Sequence, residues 1–335
     1  MRFTKLISTI DSHTGGNPTR TIIGGAVRLA GRTMSEKMLD MKQNYDWLRQ
    51  VLMYEPRGHE VMSGCVLTEP CDPTADLGVV FIETGGYLPM CGHDTIGLCT
   101  AAVEAGLVRV TEPITAFTLD TPAGLVRVNV TVRDGKAIGV TFRNVPSFLQ
   151  FPDLRVQVPG FGTVTVDVAY GGNYYCITNA EALGLELTRE NGSRLIRTGV
   201  AIREAVNRTV AVQHPEAPFI RGATHVEFYG PPTHPEAHQK NVVIIPPGGI
   251  DRSPCGTGTA AKVATLVAKG QLKLGEEFVH ESIVGSIFRA RAVEKAHVGD
   301  LPAVVSEITG QAWITGFHQF VLDPADEIKN GFLLM

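Results

Sequence analysis

The chain is poor in charge. Only 19% of its 335 residues are charged, with 34 acidic against 30 basic side chains and a formal net charge of −4. No Lys/Arg run stands out, so nucleic acid and an anionic membrane surface are excluded as expected partners. No apolar run reaches the ~18 residues of a membrane span. Lys5 and Asp11 interrupt the segment where a signal peptide would need its apolar stretch. A cytoplasmic protein with no membrane partner is the expectation. Cysteine is sparse: Cys65, Cys71, Cys91, Cys99, Cys176 and Cys255. In a chain of this size without a secretory signal these read as reduced thiols, not as a disulfide framework. Gly15-Gly16, Gly85-Gly86 and Gly171-Gly172 lie in no phosphate-loop or dinucleotide pattern and read as turns. What remains is ordered globular material, 44% hydrophobic and long enough for two domains.

Most of the chain reads as strand. Thr21 to Leu29, Gly78 to Glu83, Phe117 to Val132, Val156 to Ala169, Asn241 to Ile245 and Ser282 to Val293 are rich in β-branched residues and bounded by Gly, Pro or Asp. Helical periodicity appears in Ser35 to Met53 and in Ser193 to Val206. Two further helical runs, from Thr95 and from Thr259, are small and apolar on nearly every side, which marks buried helices.

Those two runs start alike. Met90-Cys91-Gly92-His93-Asp94-Thr95 and Pro254-Cys255-Gly256-Thr257-Gly258-Thr259 are both Cys-Gly-x-x-Thr, and each run ends at a glycine, Gly106 or Gly270, 15 residues past its cysteine. Upstream of each lie a strand and a Gly-Gly pair, Gly85-Gly86 or Gly248-Gly249; downstream of each lie more strands. The unit is a repeat. A change of domain is expected near Asp134-Gly135 or Asn144-Val145-Pro146. It separates residues 1–130 with about 317–335, carrying Cys91, from residues 131–316, carrying Cys255.

A thiol just before a helix N-terminus lies beside unpaired N–H groups and the positive end of the helix dipole, and is expected to ionise more easily than a free thiol. Two such thiols serving one site can act as base and acid on opposite faces of a substrate carbon, inverting a stereocentre. The N–H groups around Gly92-His93 and Gly256-Thr257 are candidate sockets for a carboxylate, and they stabilise the charge that deprotonation places there. Asp251, four residues before Cys255, is a candidate partner for a substrate ammonium, with His93 as a second polar contact. The substrate class that follows is a small α-amino acid. Asp94 either caps its helix or, so close to Cys91, raises that thiol's pKa. Cys91 and His93 could also ligate a metal with Cys255, but their spacing is not a zinc pattern, and neither metal nor cofactor is expected. Cys99 lies inside a buried helix and reads as core.

These motifs resemble the two signatures of the proline racemase family, which includes the 4-hydroxyproline 2-epimerases. The similarity runs along essentially the whole chain, through Ile10-Asp11-Ser12-His13-Thr14, Glu55-Pro56-Arg57-Gly58-His59, Asn144-Val145-Pro146-Ser147-Phe148, Gln213-His214-Pro215, Tyr229-Gly230-Pro231-Pro232-Thr233 and Lys329-Asn330-Gly331-Phe332. The resemblance implies a diaminopimelate-epimerase-like α/β fold of two pseudo-symmetric halves, each a curved, mostly antiparallel sheet or barrel around a central helix. It implies two-base chemistry without pyridoxal phosphate or metal, and a homodimer. Carried over, Cys91 and Cys255 are the acid/base thiols; Gly92, His93, Gly256 and Thr257 line the substrate; Asp251 binds its amine. Cys255 argues against the 3-hydroxyproline dehydratase branch, which usually has Thr there. Cys91 argues against a branch with Ser at the first position. Proline racemases of the family carry a bulky Phe where this chain has Ser63, and an apolar or thiol residue where it has His225. A polar pair suits a ring hydroxyl, so 4-hydroxyproline is the expected substrate and proline the alternative.

Overall fold

A computed structural model describes residues 3–25 and 27–334. The fold is mixed α/β, mostly sheet, with five α-helices among the described residues. None of those helices is long and apolar enough to cross a membrane. The chain forms two compact units, residues 1–142 with 310–335, and residues 143–309.

In the first unit, strands pair in the order Ala312–Leu322, Lys5–Thr14, Asn17–Gly24, Ser63–Thr68, Leu77–Glu83, Ile114–Thr121 and Gly124–Arg133. Their contacts are antiparallel, antiparallel, parallel, antiparallel, parallel and antiparallel. In the second unit the order is Phe148–Val158, Gly162–Tyr170, Tyr174–Asn179, His225–Gly230, Gln239–Ile245, Phe278–Glu281 and Ile287–Val298. Its senses follow the same series, strand for strand. Shared topology therefore aligns residues that the sequence alone does not. Ser63 corresponds to His225, Cys65 to Glu227, Val79 to Asn241, Asn17 to Asn173, Thr19 to Tyr175 and Asp120 to Glu281.

Each unit holds one buried helix, Gly92–Glu104 or Gly256–Ala268. The reason the two motifs share a threonine is visible at once. Thr95 Oγ1 donates to the Cys91 carbonyl (2.7 Å) and Thr259 Oγ1 to the Pro254 carbonyl (3.1 Å), tying each first turn to the segment before it. The terminal glycines share a conformation as well, with φ of +70° at both Gly106 and Gly270. At one end Leu107 N–H reaches Ala102 O and Gly106 N–H reaches Val103 O; at the other Gln271 N–H reaches Leu266 O and Gly270 N–H reaches Val267 O. Both are Schellman ends, which a left-handed glycine makes without steric cost.

Several element boundaries differ from the sequence reading. The run Thr21 to Leu29 is a strand only as far as Gly24, and Ala26 lies outside the described residues. Phe117 to Val132 is a hairpin that turns at Pro122-Ala123, and Val156 to Ala169 turns at Pro159-Gly160-Phe161. Ser35 to Met53 breaks at Tyr45 into Met34–Asn44 and Asp46–Met53. Asp134-Gly135 is a tight turn with positive φ at both residues, 53° and 71°, between strands Gly124–Arg133 and Lys136–Arg143. That is the two-residue hairpin signature, so the division between units falls beyond it, at the Asn144-Val145-Pro146 end of the expected range.

Candidate active site

In the first unit Cys91 is the N-cap residue of its helix and is buried. Its Sγ lies 3.4 Å from His93 Nδ1. The other ring nitrogen, Nε2, is 3.0 Å from Asn17 Nδ2. An amide nitrogen only donates, so with this amide orientation Nε2 accepts and the Nδ1–H points at the sulfur. Thr14 Oγ1 fixes the same residue by donating to the His93 carbonyl (2.8 Å). Asp94 is fully buried, and its Oδ2 accepts a 2.6 Å hydrogen bond from Ser63 Oγ. Its Oδ1 lies 3.4 Å from His93 Nε2. Asp94 therefore does not cap the helix; its oxygens are turned toward Ser63 and His93. Gly97 is required one turn on, because a Cβ there would lie 2.8 Å from Thr19 Cγ2 and 2.9 Å from Ser12 Oγ. The ligand atoms of Cys91, His93 and Asp94 lie within 4.8 Å of one another, a set that could hold a metal ion.

The second unit repeats this plan with different side chains. Cys255 is also an N-cap residue and is buried, but its φ is +60° where that of Cys91 is −135°. A non-glycine residue in that region is strained. A chain of hydrogen bonds holds it: Ser253 N–H donates to Asp251 Oδ1 (2.8 Å), Cys255 N–H to Ser253 Oγ (3.1 Å), and Asn241 Nδ2 to the Pro254 carbonyl (2.8 Å). Tyr175 OH lies 3.2 Å from Cys255 Sγ and 2.5 Å from Thr257 Oγ1. Asn173 Nδ2 donates to Thr257 Oγ1 (3.3 Å), matching the Asn17 contact to His93. His225 is buried, packs its ring on Tyr175 with centroids 4.9 Å apart, and meets Thr224 Oγ1 through Nδ1 at 2.8 Å.

The ease of ionisation expected for Cys255 is reversed. Burial pushes its thiol well above the ordinary range, and the Asp251 charge adds to this. Hydrogen bonds from Tyr175 and from the Gly258 N–H pull the other way without prevailing. The helix end does supply an N–H to the sulfur, but desolvation of the thiolate outweighs it.

Among the sequence-nominated residues, the first unit brings together Cys91, Gly92, His93 and Ser63, the last through Asp94. In the second, Cys255, Gly256, Thr257, Asp251 and His225 gather around Tyr175 and the turn before the helix. Asn17, Asn173 and Tyr175 were not nominated. A signal for the two asparagines was present: Gly15-Gly16-Asn17 and Gly171-Gly172-Asn173 are the same tripeptide at equivalent places.

Comparison with known proteins agrees with this arrangement. The family pattern described as "Proline racemase" matches residues 9–333. A proline racemase of Clostridioides difficile is 49% identical over 334 residues, covering 100% of both chains. A 4-hydroxyproline 2-epimerase of Streptosporangium roseum is likewise 49% identical over 334 residues, with 100% of both chains covered. Among solved structures, a hydroxyproline epimerase from Agrobacterium vitis with bound trans-4-hydroxy-L-proline superposes with a TM-score of 0.95 at 33% identity, over 100% of this chain and 96% of that one. A Bacillus anthracis protein of the PhzF family shares the fold at a TM-score of 0.61 and 13% identity, over 95% of this chain and 100% of that one. Matched by the family pattern over residues 9–333 and by a relative 49% identical along its full length, this chain belongs to the proline racemase family.

Proposed function

We propose that the protein is an isomerase, a 4-hydroxyproline 2-epimerase that interconverts trans-4-hydroxy-L-proline and cis-4-hydroxy-D-proline. Cys91 and Cys255 are its two bases. One thiolate removes the α-hydrogen as a proton, and the other thiol delivers its own proton to the opposite face of the planar carbanion. The charge released on deprotonation spreads into the carboxylate, which the helix-start N–H groups of Gly92, His93, Gly256 and Thr257 stabilise more in the transition state than in the substrate. Asp251 pairs with the ring ammonium. The acid and base are both side chains of the protein, so the step needs no metal or cofactor.

One observation carries the two-base reading: each unit, taken alone, presents the same half-site, a buried N-cap cysteine with an Asn-bridged residue two positions on. The choice of hydroxyproline rests on Ser63 and His225. They occupy one and the same position of the repeat, and both are buried polar residues. Because Ser63 gives its only proton to Asp94, toward a ring hydroxyl it can only accept. Relatives of equal identity carry both names, so proline racemase is the second reading. Turnover of trans-4-hydroxy-L-proline against L-proline separates them: a higher kcat/KM for proline overturns the assignment. The protein is further proposed to be a cytoplasmic homodimer, which light scattering checks; a monomer at working concentration contradicts it.

A further inference from the structure

We infer that Glu227 is a positioning residue for Cys255, keeping a buried carboxyl group across the Gly258 space from the sulfur so that the Cys255 thiolate is a stronger base than its helix end alone would make it. This rests on the reading of Cys255 as an acid/base thiol.

The geometry starts from an exchange of side chains between the halves. In the first unit the helix carries the carboxylate, Asp94, and the strand beneath carries a small residue, Cys65. In the second unit the helix position is Gly258 and the strand position is Glu227. The glycine makes the room. A Cβ at Gly258 would lie 2.8 Å from Glu227 Oε2, 3.2 Å from Cys255 Sγ and 3.2 Å from Tyr175 Cε1. Carboxylate, sulfur and the Tyr175 ring thus border one space, which a side chain at Gly258 would fill. Each half keeps one buried carboxylate beneath its cysteine, reached from opposite elements.

Glu227 is fully buried, and its carboxylate is met by the Asn241 side chain. Lys262, one turn past Gly258 on the same helix, is also buried, with its ammonium over the Tyr229 ring, 3.2 Å from the centroid. His280 faces Glu227 from the strand Phe278–Glu281, two places along the sheet, its Nε2 3.8 Å from Oε1. Asn241 can only donate through Nδ2 to His280 Nδ1 (3.3 Å), so the imidazole is neutral at Nδ1 and turns its Nε2–H toward Glu227. Asp251 acts on Cys255 from the preceding turn, and Asp167 and Lys269 act on Lys262 from its far side. Burial drives Glu227 above the ordinary carboxylate range, with Lys262 and the Asn241 hydrogen bond opposing, and drives Lys262 and His280 below theirs. A buried carboxyl group and a buried thiol this close together cannot both ionise freely, so their titrations are linked. A thiolate of raised pKa is the better base toward a weakly acidic C–H.

The test is alkylation of the intact enzyme by iodoacetamide across pH, with Cys255 and Cys91 quantified separately by peptide mass spectrometry. Glu227→Gln should move the Cys255 midpoint down by about one pH unit and leave Cys91 unmoved. An unmoved Cys255 midpoint in folded E227Q overturns the inference. Should E227Q not fold, wild-type protein labelled with ¹³Cδ-glutamate serves instead. One glutamate should titrate above the ordinary range, and its midpoint should fall once Cys255 is alkylated. No such glutamate, or a midpoint indifferent to alkylation, is equally fatal. Neither readout involves substrate, so failure here is distinct from failure of the isomerase reading, which shows as no α-hydrogen exchange by wild-type enzyme.

Discussion

The two halves agree in backbone and differ in support. Both present a cysteine at the start of a buried helix, both tie the first turn with a threonine, and both end the helix on a left-handed glycine. Beneath the helix they part. Where the first unit has Cys65, Leu98 and Val79, the second has Glu227, Lys262 and Asn241. Shared topology thus fixes where each thiol sits in its half, while the side chains that differ between the halves set its surroundings. His93 offers Cys91 a ring nitrogen, and Tyr175 offers Cys255 a phenol.

The first way to break the comparison is to remove each thiol. Cys91→Ser and Cys255→Ser should each cost at least ~10²-fold in epimerisation, the scale of a lost general acid or base. Full activity in either variant would show that the halves are not functionally paired. The helix glycines sharpen the contrast. Gly258→Ala sets a methyl against Glu227, Cys255 and Tyr175, and should lower kcat more than stability. Gly97→Ala drives a methyl into Thr19 and Ser12, and should cost about 1–3 kcal/mol of stability as overpacking does. Thermal melts beside initial rates separate the two effects, and equal behaviour would erase the distinction drawn here.

A third contrast concerns a shared clamp. Asp120 Oδ2 accepts from the Cys71 and Asp72 N–H groups (2.7 and 2.8 Å), and Glu281 Oε2 accepts from those of Thr233 and His234 (2.6 and 2.8 Å). Removing the charge with Asp120→Asn or Glu281→Gln should cost about 1–3 kcal/mol in denaturant unfolding. For Glu281, burial alone would raise the pKa, but the bonds from Thr233 and His234 lower it below the ordinary value of 4.5. The folded state therefore binds this proton less readily than the unfolded chain. Its stabilisation is present above pH 4.5 and lost as pH falls through the folded value, so E281Q should flatten the acid limb of the stability curve. An unchanged limb contradicts the assignment. The smallest effect is expected at Ser63 and His225. Ser63→Ala and His225→Phe should each shift the 4-hydroxyproline to proline ratio of kcat/KM by about tenfold toward proline, and no shift removes them from substrate recognition.

Legibility followed periodicity and repetition. The buried helices, their cysteine starts and their glycine ends could be read because small apolar runs bounded by glycine have few other meanings. Glu227 could not, since a lone glutamate among apolar strand residues reads as the solvent side of an alternating strand; only the pairing register makes it the equivalent, in its own half, of Cys65. The pKa direction of Cys255 is hidden from the sequence for a related reason. A helix start is visible in sequence, whereas the depth at which it is buried is a property of the packing around it.

The central claim is that two thiols serve one α-carbon, and isotope incorporation tests it most directly. In heavy water, with trans-4-hydroxy-L-proline as sole substrate and conversion kept low, the account predicts deuterium at the α-carbon of the cis-4-hydroxy-D-proline formed and essentially none in recovered substrate. The proton removed stays on one thiol while the other delivers solvent deuterium. Equal deuterium in substrate and product would mean a single base serving both faces, and would contradict the account.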